Sequence, residues 1–357
     1  MEQATGACQF GADAIYSLVM LVGVVDVSRA NAFLNGSKLM KIVVLDGHTL
    51  DPGDNPWDAV EALGELTVYD RTPADAIVER AGEAEVVVTN KTALQAETLA
   101  ALPKLQFIAV LATGYNVVDV SAARERGIAV SNVPVYSTSA VAQFTFALLL
   151  ELCHHVGAHD ASVKSGEWSS CEDFCYWITP LIELEGLTMG IVGFGRIGRR
   201  VGELAHAFGM RVLAHDLAQA DPPDYQPFAW RELDDLVAES DVVTLHCPQT
   251  ADNTGMVNTA LLARMKPGAF LLNAARGGLV VEQDLAAALN AGRLAGAALD
   301  VVGAEPIPEA SPLLVAKNCI VTPHIAWAAR AARGRLMQTT AENIAAFIAG
   351  NPIHVVN

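Results

Sequence analysis

Four apolar runs in the second half of the sequence stop at residues able to do chemistry. DVVTLHCP (241–248) ends on Cys247 and Pro248, and AFLLNAARG (269–277) on Asn273, Ala274 and Arg276; GAALDVV (296–302) carries Asp300, and CIVTPH (319–324) ends on His324. If these runs are strands of one open parallel sheet, their ends face a single crevice, which is where such sheets bind ligands. Each residue alone has a plainer reading: Asn273 as a turn former, Asp300 as a helix cap, His324 as a packed histidine behind Pro323. The coincidence of the set points to a site. An imidazole, with an ordinary pKa of roughly 6.5, exchanges protons near neutrality. Taking a hydride from an alcohol carbon needs such a base for the hydroxyl proton, and the reverse reduction uses imidazolium as the acid. Glu305, in DVVGAEPIP, is the candidate carboxylate to bind the far ring nitrogen, orient the ring and stabilise its cation. Arg276 presents paired, coplanar donors that can grip a substrate carboxylate and polarise the carbonyl beside it.

The elements that position this set read as strand followed by helix. GFGRIG (193–198) places Gly193, Gly195 and Gly198 after an apolar strand and before a helical pattern. There the bare backbone can approach a pyrophosphate seated on the helix N-terminus. The rival reading is a tight turn with no ligand. A second mark favours the cofactor: Asp216 ends RVLAHD eighteen residues beyond Gly198, with no Arg close behind it. A carboxylate at that point accepts from ribose hydroxyls and repels a 2′-phosphate, so the expected cofactor is NAD rather than NADP.

The first half repeats the strand pattern in KIVVLDG, LTVYD, EVVVTN, LQFIAVLATG and IAVSNV, and the second half adds TMGIVGFG and RVLAHD to the four runs above. Continuous apolar runs imply strands covered on both faces, hence parallel sheets with crossover helices. The fold class is therefore α/β, with two doubly wound parallel-sheet domains of Rossmann or flavodoxin-like type. STSAVAQFTFALLLELCHHV (137–156) reads as a buried connecting helix, with Ser137, Thr138 and Ser139 offering capping oxygens. The helical tail RGRLMQTTAENIAAFIAG (333–350) is too short for a domain of its own and is expected to return to the first domain. That makes 40–138 plus 328–357 the substrate-binding domain and 139–327 an inserted NAD-binding domain. Residues 1–39, including the apolar run AIYSLVMLVGVV, read as an upstream extension without a functional role, the protein proper starting at Met40.

With 52% apolar and 18% charged residues and a formal charge of −17, the chain is a well-packed, acidic protein, which excludes nucleic acid and anionic membranes as partners. The six cysteines include no CxxC pair, and CEDFC (171–175) lacks a companion pair at finger-like spacing. Free thiols in a reducing cytoplasm are expected, and no metal.

GFGRIGRRVGELAHAFGMRVLAHD, NAARGGLVVEQDLAAAL, GAALDVVGAEP and TPHIAWA together resemble the D-isomer-specific 2-hydroxyacid dehydrogenases, in particular the hydroxypyruvate reductase and glycerate dehydrogenase branch. The similarity runs from about Lys41 to the C-terminus. It implies a split two-domain fold and catalytic roles for Arg276, Glu305 and His324. It also implies NAD contacts at Arg196, Ile197, Asp216, Cys247, Ala274 and Asp300, and a substrate carboxylate held by the amides of Thr113 and Gly114. Members of the family are usually homodimers, and WSSCEDFCYW (168–177) reads either as part of such an interface or as a half-buried surface loop. Formate dehydrogenases of similar outline carry Gln where Glu305 stands, so Glu305 argues for a hydroxy acid. Tyr115 and Trp327 read as pocket walls for a small substrate or as core aromatics. The expected activity is NADH-dependent reduction of a small 2-oxo acid to the D-2-hydroxy acid. The alternatives are a D-lactate-type dehydrogenase and a non-enzymatic NAD(H) sensor of the same fold.

Overall fold

The structure, a computed structural model, describes residues 39–357. The reading of residues 1–39 as a dispensable extension therefore lies, apart from Leu39, outside the described residues.

The chain divides into two compact units: the described residues up to Tyr136 together with Ala328–Asn357, and Ser137–Trp327. In the first unit β1 (Lys41–Val44), β2 (Glu65–Val68), β3 (Val86–Thr89), β4 (Phe107–Val110) and β5 (Ala129–Ser131) form a five-stranded parallel sheet in the order β2-β1-β3-β4-β5. In the second, β6 (Thr188–Val192), β7 (Arg211–His215), β8 (Phe228–Trp230), β9 (Val242–Leu245), β10 (Phe270–Asn273), β11 (Gly296–Leu299) and β12 (Cys319–Val321) form a seven-stranded parallel sheet in the order β12-β11-β10-β9-β6-β7-β8.

Burial follows position in the sheet. The central strands β3, β4, β9, β10 and β11 are buried at every residue, while the edge strands β2, β8 and β12 are not. Most of the unbroken apolar runs are thus strands packed on both faces, although LTVYD and CIVTPH supply the half-covered edge strands β2 and β12. Eleven strands were legible in this way; β8 was not. Its three residues, Phe-Ala-Trp, sit half-buried at the sheet edge directly after Pro227, too short for a periodic signal.

Three long helices hold the frame. α1 (Thr138–His154) buries Val141, Ala142, Phe146, Leu149 and Leu152. With α2 (Arg196–Ala207) it covers one face of the seven-stranded sheet through a core that includes Met189, Ile191 and Leu272. Each such side chain taken fully from water contributes about 1.5–3 kcal/mol. Ser137 stands at the N-cap of α1 but its side chain caps nothing, contrary to the sequence expectation; burial of the apolar face stabilises this helix without it. α3 (Arg330–Ile348) packs within the first unit, where Phe347 stacks on Phe107 of β4 at 4.5 Å. Arg333, at its start, donates to both carboxylate oxygens of Asp54, at 2.6 and 2.7 Å. The paired hydrogen bonds hold the Asp54 carboxyl below the usual carboxylate range.

Candidate active site

The second unit gathers its polar strand ends along β6, β9, β10, β11 and β12. β6 leads into Gly193, whose φ is +92°, and a side-chain carbon there would collide with the backbone of His246 and Cys247 at the end of β9. Only glycine allows the two strand exits to touch. Gly195 differs: nothing lies within 4 Å of where its Cβ would stand, at the N-cap of α2. The loop is fixed from the other side. The Phe194 ring is buried against Phe228 and Trp230, with centroids at 5.3 and 5.4 Å, and the Arg199 guanidinium lies 5.1 Å from its centroid.

Asp216 directly follows β7. Its Oδ2 accepts from the Phe194 amide at 2.7 Å and its Oδ1 from the Ala218 amide at 3.1 Å, and each oxygen keeps a lone pair for a ribose hydroxyl. An open space over a helix N-terminus, lined by backbone and flanked by this carboxylate, fits a dinucleotide. Gly193, Gly195, Arg196, Ile197, Gly198 and Asp216 are accordingly brought to one place. Cys247 joins them, its thiol pushed up chiefly by burial and further by nearby Asp216. His246 is a titratable group that the sequence reading missed. Burial pushes its pKa down to about 3, its Nε2 pairs with Thr244 Oγ1 at 2.9 Å, and its Nδ1 has no partner among the described residues.

The ends of β10, β11 and β12 carry the remaining set. Asn273 forms the turn that presents Arg276: its Nδ2 donates to the Arg276 carbonyl at 2.9 Å and its Oδ1 accepts from the Ala275 amide at 3.0 Å. Arg276 is exposed, its guanidinium donates to the Ala275 carbonyl at 2.7 Å, and it forms no ion pair among the described residues. Glu305 and His324 meet directly, Oε2 to Nδ1, at 2.7 Å, and both side chains are about one-third open to solvent. His324 has φ +55°, a left-handed conformation that costs a non-glycine residue roughly 1–2 kcal/mol.

Asp300, 1% exposed, offsets that cost. Its Oδ1 accepts from Thr322 Oγ1 at 2.7 Å and from the Ile325 amide at 2.8 Å. Its Oδ2 accepts from the Ala326 amide at 2.8 Å, and its carbonyl from the His324 amide at 2.8 Å. Asp300 therefore anchors the histidine loop, a role that the strand-end pattern did not reveal. Glu282 was also missed: it accepts from the Gly303 amide at 2.7 Å and from Ser311 Oγ at 3.0 Å, bracing the loop that carries Glu305. Trp327 Nε1 donates to the His324 carbonyl at 2.9 Å.

In the first unit, Thr113 and Gly114 lie just beyond β4, and Tyr115 is exposed rather than a core aromatic. A cavity of about 400 Å³ in the same unit is lined by Asp46, His48, Asp70, Arg71 and Lys91 among others. It includes none of the residues assigned from the sequence to catalysis, cofactor or substrate carboxylate, and its two carboxylates balance its two fixed cations.

An imidazole held by a carboxylate, a guanidinium without an ion pair among the described residues and a dinucleotide cradle at the ends of one sheet are the equipment of a nicotinamide-dependent alcohol–carbonyl interconversion. Comparison with known proteins agrees. The family described as D-isomer specific 2-hydroxyacid dehydrogenase, NAD binding domain, matches residues 146–326. The chain is 51% identical over 321 residues to the hydroxypyruvate reductase of Blautia hydrogenotrophica, covering 89% of this chain and all of that one. It is 38% identical over 319 residues to the glycerate dehydrogenase of Methylorubrum extorquens, covering 88% and 98% of the two chains. Among solved structures, the D-lactate dehydrogenase from Aquifex aeolicus complexed with NAD and lactic acid superposes with a TM-score of 0.73 at 28% identity, over 89% of this chain and all of that one. The chain belongs to the D-isomer-specific 2-hydroxyacid dehydrogenase family, as an NAD-binding enzyme built from two parallel-sheet domains.

Proposed function

We propose that the enzyme reduces small 2-oxo acids, hydroxypyruvate first and glyoxylate second, to the D-2-hydroxy acid at the expense of NADH, and catalyses the reverse oxidation of D-glycerate. The observation that carries this reading is the 2.7 Å pair of His324 and Glu305. With Nδ1 engaged by the carboxylate, His324 has Nε2 left to deliver a proton to the substrate carbonyl oxygen or to take it from the alcohol. Glu305 fixes the ring orientation and balances the imidazolium charge. Arg276, free of internal ion pairs among the described residues, binds the substrate carboxylate, as do the amides of Thr113 and Gly114. Residues 193–198, Asp216, Cys247, Pro248, Ala274 and Asp300 would hold the nicotinamide cofactor, which would supply or take up the hydride at the substrate carbon that bears the oxygen. The names of the relatives in hydroxypyruvate reduction and glycerate oxidation support this choice of substrate.

The test is NADH consumption with hydroxypyruvate, glyoxylate, pyruvate and 3-phosphohydroxypyruvate side by side, repeated with NADPH. Hydroxypyruvate with NADH is expected to be fastest. A preference for the phosphorylated acid or for NADPH would displace the reading, and NADH binding without turnover on any of the four would end it.

We also infer a homodimer in the cytoplasm. Trp168, Phe174 and Trp177 are 52%, 88% and 66% exposed in one short segment, too large an apolar display to leave uncovered. Cys153, Cys171, Cys175, Cys247 and Cys319 are unpaired, as in a reducing compartment. Light scattering should give twice the chain mass; a monomer at micromolar concentration would remove the dimer.

A further inference from the structure

The turn beyond β4 has one free side and one that is tightly held. The amides of Thr113 and Gly114 donate to no acceptor among the described residues. The carbonyl of the same Thr113–Gly114 peptide is fixed: Asn132 Nδ2 donates to the Thr113 oxygen at 2.7 Å. Two more bonds pin this stretch to the residues after β5, Thr113 Oγ1 to the Val133 carbonyl at 2.8 Å and the Val133 amide to the Ala112 carbonyl at 3.0 Å. A trans peptide is planar, with its C=O and its N–H pointing in opposite directions. Whatever holds the Thr113 carbonyl therefore aims the Gly114 N–H, on the side away from Asn132.

Asn132 is itself held. It is 8% exposed, its carbonyl accepts from Asn343 Nδ2 at 2.9 Å, and its amide donates to the His354 carbonyl at 3.2 Å. Asn343, 1% exposed on α3, accepts at Oδ1 from His354 Nδ1 at 2.8 Å. His354 stands at φ +52° at the start of a C-terminal segment that pairs antiparallel with β5 through Val355 and Ser131. These contacts form one chain of hydrogen bonds, from His354 through Asn343 and Asn132 to the Thr113 carbonyl.

We propose that Asn132, backed by Asn343 and His354, is a positioning residue that aims the Gly114 amide at the substrate carboxylate. The proposal rests on the reading above that this amide binds that carboxylate. It gives the C-terminal segment a part in substrate affinity although it never touches substrate. Asn132 is not a catalytic residue. It acts through a peptide plane, and its removal is expected to weaken substrate binding while proton transfer and cofactor binding stay intact.

The experiment compares wild type, Asn132→Ala and His354→Ala in the full chain, with kinetics on hydroxypyruvate, NADH affinity by fluorescence, and calorimetric binding of oxalate to the NADH complex. In Asn132→Ala the KM and the oxalate dissociation constant should rise roughly tenfold to a hundredfold, while kcat and NADH affinity stay near wild type. His354→Ala, at an exposed but left-handed position, should shift KM in the same direction by less, and its Tm reports any cost to the fold. An unchanged KM in both variants, or a joint fall of kcat, NADH affinity and oxalate binding as a general structural role would give, overturns the proposal and leaves the reading of the enzyme standing. A wild type that neither reduces hydroxypyruvate nor binds oxalate overturns the reading of the enzyme and the proposal together.

Discussion

Replacing His324 by Ala is expected to lower kcat for hydroxypyruvate reduction by about a thousandfold, the middle of the range for removing a general acid–base, with NADH affinity retained. The separation of effects follows from the geometry. His324 meets Glu305 at 2.7 Å, whereas the dinucleotide cradle is built from residues 193–198 and Asp216. The backbone at 324 is left-handed, so Ala adds a conformational penalty of its own. Asn tolerates that region far better, and His324→Asn therefore separates lost proton transfer from a displaced loop. Both variants should fall together. If His324→Asn keeps a kcat within about tenfold of wild type, the proton travels by another route.

Gly277→Ala should be nearly as damaging without touching any reacting atom. A Cβ at Gly277 would overlap the Val302 carbonyl and press on the Gly303 amide. Both obstacles are backbone, so neither can swing aside. One of two loops must move: the one presenting Arg276, or the one that runs from Val302 to Glu305. Displacements near 1 Å at a reacting centre cost about a hundredfold, and that loss in kcat/KM is expected, together with a fall of several degrees in Tm. Gly195→Ala, whose Cβ meets nothing within 4 Å, is the control for stability. A Gly277→Ala enzyme with normal kcat/KM would mean that the two loops are not rigidly packed.

What the sequence revealed and concealed divides along a physical line. Strands buried on both faces announce themselves as apolar runs, and a run that stops at Asn273, Asp300 or His324 shows where the sheet ends. Glycine spacing and a carboxylate after the next strand mark the cradle, because the ligand dictates both. Side chains that bond a backbone far away in sequence leave no such trace. Asp300 reads as a strand-end acid, yet its oxygens hold residues more than twenty positions downstream. Glu282, Asn132 and Asn343 sit in ordinary-looking stretches, and their importance lies in carbonyls and amides that only the fold brings near. Ser137 shows the converse: a favourable capping residue in the right place whose side chain goes unused.

β12 is a three-residue strand at the rim of its sheet, a weak place from which to hang a proton donor. The imidazole does not take its bearings from that strand alone. Through Asp300 it is levelled against β11, and Glu305 hangs from β11 as well, a few residues further along. Donor and carboxylate thus share a single datum, and small slippage of the rim strand shifts neither relative to the other. The sheet works as a machinist's surface plate, on which two parts stay aligned because both are measured from the same plane.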